Sequence, residues 1–363
     1  MRIVVKLGTH TLTDNSGRLG RPRMIDLVRQ IALLHHQEQE MLLVSSGAVF
    51  AGGEVLGPPT LRRDLPFKQV LAAVGQGRLM GLYEQFFALY DIVVAQALLT
   101  RADLANRERY LNARNTLLSL LQLRVVPVIN ENDVVAIEEI KIGDNDNLSA
   151  LVANLVDADL LIMLTDQAGL FTADPTTDPT ARLIPQVDVI DEGIRRLAGG
   201  SGSGVGTGGM TTKFQAAELA TRSGTEVVIA AGSEVDVLLR LAAGEALGTR
   251  FLTNVSRVES RKRWILAEPP GGELLLDQGA VEALVSAGKS LLPVGVVDVT
   301  GEFERGQTVR LLAPDGSEIA RGIAHYDISS LRAIMGRQSA EIPAILGYQY
   351  GPTVVHRDDL VLV

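Results

Sequence analysis

VVPVINENDVVAIEEIKIGDNDNLSA, residues 125–150, decides how the rest of the chain is read. Its first part, Val125–Ile129, is a short apolar run rich in β-branched residues, which suits a buried strand. That run passes directly into Asn130, Glu131, Asn132 and Asp133. After a spacer come Gly143-Asp144-Asn145-Asp146-Asn147, and then Leu148, Leu151, Val152 and Leu155 recur at helical spacing. Two polar clusters therefore sit where a strand ends and where a helix begins. In an open α/β sheet that edge is where ligands bind. An Asx-rich turn followed by an N-cap is the plain alternative. It accounts for one or two of these eight Asn, Asp and Glu residues and leaves the others unexplained.

Working outward, the same alternation recurs. Arg2–Leu7 reads as a buried strand ending at Lys6-Leu7-Gly8-Thr9. Pro22 opens a helix continued by Ile25, Val28, Ile31 and Ala32. Met41–Val44 is a second strand, followed at once by Ser45-Ser46-Gly47. Phe67–Tyr90 reads as helical with interruptions at Gly75, Gly77 and Gly81; Ile92–Ala95 reads as a strand and Asn106–Leu123 as a helix. Downstream, Asp159–Leu164 is a strand ending in Thr165-Asp166, and Glu226–Ala230 is another. Strands and helices alternating at this spacing predict an α/β domain with parallel pairing through right-handed crossovers.

The texture changes after the charged run Arg257–Arg263. Short β-like runs (Gly272–Leu276, Gly295–Val299, Thr308–Leu312) are separated by Gly, Asp and Pro turns. The expected organisation is a first domain over 1–250, a linker over 251–263 and a small β-rich domain over 264–363.

Composition narrows the function classes. Hydrophobic residues make up 46% and aromatics 4% of the 363 residues, with 36 glycines, a mix that suits α/β layers. There is no cysteine, so disulfides and thiolate metal sites are excluded, in keeping with a cytoplasmic protein. The start, MRIVVKLGT, lacks the charged and apolar regions of a signal peptide, and no apolar run approaches the ~20 residues that span a bilayer. A net charge of −9 argues against a broad nucleic-acid footprint. An acidic protein that handles an anionic substrate needs a few well-placed cations, so individual lysines carry information.

Lys6 stands at a strand end just before Gly8-Thr9, whose backbone allows close approach of a ligand. It reads as a phosphate-facing cation; a lysine reaching to solvent is the competing reading. Ser46 at a helix start reads first as an N-cap, with a functional hydroxyl as the second reading. Gly206–Lys213 (GTGGMTTK) is a glycine loop feeding a helix N-terminus, a phosphate-binding arrangement without the Walker A spacing. A flexible hinge would not explain Lys213 on the first helical turn, where it opposes the helix dipole unless an anion is bound. The Asp144–Asn147 run fails the EF-hand pattern, and the five histidines lack metal spacing.

These motifs recur together in one family. Lys6-Leu7-Gly8-Thr9, Ser45-Ser46-Gly47-Ala48, Asn130-Glu131-Asn132-Asp133, Gly143 through Ser149, Thr165-Asp166 with Gly169-Leu170, and Gly206–Lys213 resemble the amino-acid kinase family. Within it they resemble the branch that acts on free glutamate. Ser290-Leu291-Leu292-Pro293, Gly306 and Val355-His356-Arg357-Asp358-Asp359 resemble a PUA domain. The resemblance implies a three-layer αβα sandwich around a mainly parallel sheet, plus a small β-rich PUA-like domain. It implies transfer of the γ-phosphoryl group of ATP, with Mg²⁺, to the γ-carboxylate of L-glutamate, at the start of proline synthesis. Proline as feedback inhibitor, a homo-oligomer and a cytoplasmic location come with it. Carried over residue by residue, Lys6, Lys213 and Asp146 are catalytic, with Asp146 steadying the lysines. Ser46, Asp133 and Asn145 bind glutamate, Asp133 suiting the α-ammonium and Asn145 donating to a carboxylate. Lys6, Gly8, Thr165, Asp166, Thr207, Gly208, Gly209, Met210, Thr211, Thr212 and Lys213 bind the nucleotide. No protein side chain is assigned as a metal ligand. His10 and Ser45 depart from the usual small residue and threonine. Rival readings are a kinase for aspartate, N-acetylglutamate or a nucleoside monophosphate, an RNA-binding PUA protein, and an inactive amino-acid sensor. Ser260–Val363 carries 10 Lys and Arg against 13 Asp and Glu, which leaves no basic stripe for RNA.

Overall fold

Short runs of Val, Ile and Leu that are buried along their whole length can only be central strands of a sheet covered on both faces. The structure, a computed structural model, describes residues 1–363 apart from 15–16, 59, 61–63, 137–144, 200–208, 254, 257–261 and 263–264. It divides into two compact units, Met1–Leu104 with Ala113–Val255, and Ala105–Asn112 with Ser256–Val363.

The first unit is built on β1 (Arg2–Leu7), β2 (Glu40–Ser45), β3 (Val94–Leu99), β4 (Val126–Glu131), β5 (Leu160–Thr165), β6 (Gln186–Val187), β7 (Glu226–Ala231) and β8 (Thr249–Phe251). They form one eight-stranded sheet in the order β3-β4-β2-β1-β5-β7-β8-β6. Every neighbouring pair is parallel except β7 with β8. The helices are α1 (Thr9–Leu12), α2 (Arg21–His36), α3 (Ala48–Leu56), α4 (Leu65–Ala88), α5 (Arg101–Ala105), α6 (Arg107–Gln122), α7 (Asn145–Leu155), α8 (Glu192–Gly199), α9 (Met210–Arg222) and α10 (Val237–Ala242).

Strand alternation sorts the two faces. Ile3, Val5 and Leu7 of β1 and Leu160, Ile162 and Leu164 of β5 share a core with Met24 and Ile31 of α2, Leu79 and Tyr83 of α4 and Val237 of α10. Val4 and Lys6 therefore face the other side, where α7 packs on β1 and β5 and against α9. The result is the expected three-layer αβα sandwich. Chain order reverses at β1, which lies between β2 and β5, and a crevice opens outside the carboxyl ends of strands at such a point.

Two elements differ from the sequence reading. Helix α4 runs unbroken through Gly75, Gly77 and Gly81. Gly75 serves packing: a Cβ there would lie 1.8 Å from the carbonyl oxygen of Ala48, and one at Gly52 would lie 1.9 Å from that of Leu71. The backbones of α3 and α4 thus touch. The strand expected over Ile92–Ala95 begins at Val94 and extends to Leu99. Asp91 takes a left-handed φ of 56° and the amide of Ile92 bonds to Phe87 O, so the turn out of α4 uses up the residues before Val94.

The second unit holds β9 (Gly272–Leu276), β10 (Val296–Gly301), β11 (Thr308–Leu312), β12 (Glu318–Ile323) and β13 (Leu360–Leu362), in the order β10-β9-β11-β12-β13. Helices α11 (Gln278–Val285) and α12 (Ile328–Ile334) are N-capped by Asp277 and Asp327. Leu274, Leu276, Phe303, Val309, Leu311, Tyr326, Leu331 and Val355 lie in its separate core. Ala105–Asn112 belongs to this unit, although it falls inside the span 1–250 of the sequence reading. Leu111 packs with Ile265, Ile323 and Val361, Arg107 donates to Gly306 O, and Arg305 donates to Asn112 Oδ1. Among the described residues no helix is long and apolar enough to cross a membrane.

Candidate active site

The last residues of β1, β2, β4 and β5 and the first residues of α7 and α9 carry the polar side chains singled out by sequence. Lys6, next to last in β1, has its side chain buried, and its Nζ lies 2.6 Å from Asp146 Oδ1. Lys213, on the first turn of α9, places its Nζ 3.3 Å from Asp146 Oδ2, and the Thr212 hydroxyl donates to the same oxygen at 2.7 Å. Asp146 itself is 1% exposed and sits in the first turn of α7, where the helix dipole favours an anion. Burial pushes its carboxyl up, but Lys6, Lys213 and the hydrogen bonds from Lys6 and Thr212 outweigh that, and its pKa falls below the usual carboxylate value. Asp146 thus holds two buried ammonium groups side by side at the start of α7. Gly209 caps α9 without a side-chain hydrogen bond, at the helix end whose dipole favours an anion. A Cβ at Gly8 would stand 3.3 Å from Lys6 Nζ, so glycine keeps the lysine's path open.

The residue before Asp146 faces a different group. Asn145 Nδ2 approaches Ser45 O at 3.3 Å, Ser46 Oγ at 3.0 Å and Asn130 Oδ1 at 3.0 Å. An amide nitrogen has two hydrogens, so these three acceptors use it fully. The carboxamide oxygen of Asn145 is buried and has no partner among the described residues. The sequence reading gave Asn145 a donor's role toward a carboxylate; its nitrogen is engaged inside the protein, and the atom left over is an acceptor. Next to it, Gly47 takes a left-handed φ of 106° to turn the chain into α3, whose first amides have no side-chain cap.

Asp133 lies half-buried beyond β4, and burial pushes its carboxyl up to about 6. Thr165 is buried at the end of β5 and donates to Asp166 Oδ1 at 2.9 Å. Asp166 is exposed; desolvation pushes it up, but the bond from Thr165 and the charges of His10 and Lys213 hold it below the usual value. Met210 and Thr211 open α9. Thr207 and Gly208, like Gly143 and Asp144, lie outside the described residues.

Sequence reading missed the support behind this cluster. Gln69, Gln76 and Tyr83 stand seven residues apart on α4, hence on one helix face. Gln69 Nε2 donates to the carbonyls of Asp133 and Val134 at 3.1 and 3.2 Å. Gln76 Oε1 accepts from Asn130 Nδ2 at 2.8 Å. The Tyr83 and Ser45 hydroxyls lie 2.6 Å apart, and Ser45 Oγ also donates to Ser46 O. The available signal was the seven-residue spacing of Gln69, Gln76 and Tyr83, which puts three hydrogen-bonding side chains on one helix face.

A family model described as the amino acid kinase family matches residues 1–231, the span that carries every residue above. The chain belongs to the amino acid kinase family. A PUA domain model matches residues 272–346 of the second unit. This amino acid kinase is 59% identical over 362 residues to the glutamate 5-kinase of Herpetosiphon aurantiacus, covering 99% of this chain and 98% of that one. It is also 59% identical over 363 residues to the glutamate 5-kinase of Deinococcus radiodurans, with full coverage of both. Among solved structures, a UMP kinase from Bacillus anthracis overlays 70% of this chain and 96% of its own with a TM-score of 0.48 at 16% identity.

For a phosphoryl-transferring kinase the donor set is apt. Lys6, Lys213 and the N-terminus of α9 offer positive charge without a base, which is what a transferring phosphoryl group needs. Among the described residues no group of three or more His, Cys, Asp and Glu could hold a metal ion.

Proposed function

We propose that this amino acid kinase transfers the γ-phosphoryl group of ATP to the γ-carboxylate of L-glutamate, giving L-glutamyl 5-phosphate for proline synthesis. The observation that carries the reading is the pair Asn145-Asp146: consecutive residues at one helix start serve two chemically distinct clusters. Asp146 steadies the lysines, and Asn145 stands in a neutral polar clamp with Ser46 and Asn130. Full-length relatives at 59% identity that are glutamate 5-kinases support the choice of acceptor.

The γ-carboxylate of glutamate, with a pKa near ~4.3, is ionised at neutral pH, so its oxygen attacks without a general base. The bond from phosphorus to the bridging oxygen of ADP breaks as the new one forms. Lys6 and Lys213 neutralise charge on the phosphates, and Asp146 holds both at the junction. Asp133 takes the α-ammonium, and the uncapped amides of α3 beside Ser46 suit a carboxylate. Thr165, Asp166 and the segment through Lys213 hold the nucleotide. Mg²⁺ bound with ATP would supply further positive charge to the phosphates, with no protein side chain assigned to hold it. A cytoplasmic location, a homo-oligomeric assembly and feedback inhibition by proline belong to the same reading.

The test is ATP-dependent trapping of the acyl phosphate with hydroxylamine across glutamate, aspartate and N-acetylglutamate, with and without proline. Hydroxamate from glutamate alone is expected, decreasing as proline is added. Hydroxamate from another acid and none from glutamate would overturn the assignment.

A further inference from the structure

Hydrogen-bond polarity in the clamp is dictated by backbone groups, which have a fixed sense. The Glu131 amide donates to Asn130 at 2.8 Å, so the atom it meets is the oxygen, Oδ1. Asn130 must then turn its nitrogen to Gln76, whose Oε1 receives it at 2.8 Å. Asn145 faces that same Asn130 oxygen and the Ser45 carbonyl, and so presents its nitrogen to both. The chain of constraints ends on Asn145 Oδ1, a buried acceptor with no partner among the described residues. Leaving such an atom unpaired is costly, and a ligand N–H would complete it.

Resting on glutamate as the substrate, we propose that Gln76 is a positioning residue that sets the site's selectivity for an α-ammonium. By accepting from the Asn130 nitrogen it anchors Asn130 in the sense that the Glu131 amide and the Ser45 carbonyl dictate, which leaves Asn145 Oδ1 as the acceptor offered to the substrate. Asn145 Oδ1 then receives an N–H of the α-ammonium, alongside the charge of Asp133. A site arranged to hydrogen-bond a substrate N–H rejects the analogue that lacks it.

Two variants and two ligands test this. Gln76→Met removes the acceptor at similar size; Gln76→Glu keeps an acceptor toward Asn130. Glutamate is measured as substrate in the trapping assay, and glutarate, which differs only by lacking the α-amino group, as its competitive inhibitor. Gln76→Met is expected to raise KM for glutamate about tenfold, with a smaller change in kcat and little change in the Ki of glutarate. Gln76→Glu is expected to return the ratio of Ki to KM toward that of the unsubstituted chain. General damage to the fold would weaken both ligands together. If the ratio is the same in Gln76→Met as in the unsubstituted chain, or if Gln76→Glu does not restore it, the role of Gln76 is overturned while the kinase reading stands. An unsubstituted chain that forms no hydroxamate from glutamate overturns the kinase reading, and this inference with it.

Discussion

Asp133 shows how one residue can be legible in kind and hidden in behaviour. Its place after β4 is visible in the sequence, but the partial burial that pushes it up to about 6 comes from the packing around it. If it pairs with the α-ammonium, protonation removes the charge that holds the substrate. kcat/KM for glutamate should therefore fall as pH drops through about 6, through KM and not kcat. Asp133→Asn should raise KM at neutral pH and abolish that acid limb; a limb that persists in the variant would place the ammonium elsewhere. Stability runs the opposite way. Between the ordinary value of 3.8 and about 6 the folded chain binds a proton that the unfolded chain has lost, so ionised Asp133 destabilises the fold at neutral pH. Asp133→Asn should raise Tm at pH 7, by at most about 3 kcal/mol in stability, and leave it unchanged near pH 4. Asp146, Lys6 and Lys213 were easier to read, because a lysine on the first turn of a helix demands an anion, and one is present. The polarity of Asn145 was not legible, since it is set through Asn130, fifteen positions away, by the backbone amide of Glu131 and not by its neighbours in sequence.

At the level of elements, the strands were legible because parallel strands covered on both faces carry unbroken apolar runs, as Ile3–Val5 of β1, Met41–Val44 of β2, Val126–Ile129 of β4 and Leu160–Leu164 of β5 do. Three glycines in seven residues count by propensity against an unbroken helix α4. Tertiary contact overrides that at Gly75, while Gly77 and Gly81 have open space where a Cβ would go. The glycines can be separated by mutation. Gly75→Ala drives a methyl group into the Ala48 carbonyl, so α3 and α4 must part; a loss of about 1–3 kcal/mol is expected. Because Gln76 is the next residue and α3 starts just after Ser46, KM for glutamate should rise as well. Gly77→Ala should instead stabilise by about 0.5–1 kcal/mol with kinetics unchanged. Denaturant melts of the two variants, with KM measured on each, decide the matter: equal effects would mean that the contact of α3 with α4 does not tune the clamp.

Across the whole molecule, the change of texture near 250–263 was legible as a change from buried parallel runs to short strands between turns. The membership of Ala105–Asn112 was not, because the apolar residue that assigns it, Leu111, fits the helical pattern of α6 equally well in either unit. Each unit has a hydrophobic core of its own, one around β1 and β5 and the other around Tyr326 and Leu311. All the residues assigned to ATP and glutamate lie in the first. A ligand stabilises only the cooperative unit that binds it, by about 2.7 kcal/mol at a hundredfold excess over Kd. Calorimetry should therefore resolve two unfolding transitions. ATP with Mg²⁺ and glutamate should move one of them upward, and Leu311→Ala, which opens a cavity in the second core at a cost of about 2–5 kcal/mol, should lower the other. A single transition displaced by both treatments would mean that the two cores unfold as one cooperative body, and the PUA domain would then contribute to the stability of the kinase unit as well as to its own.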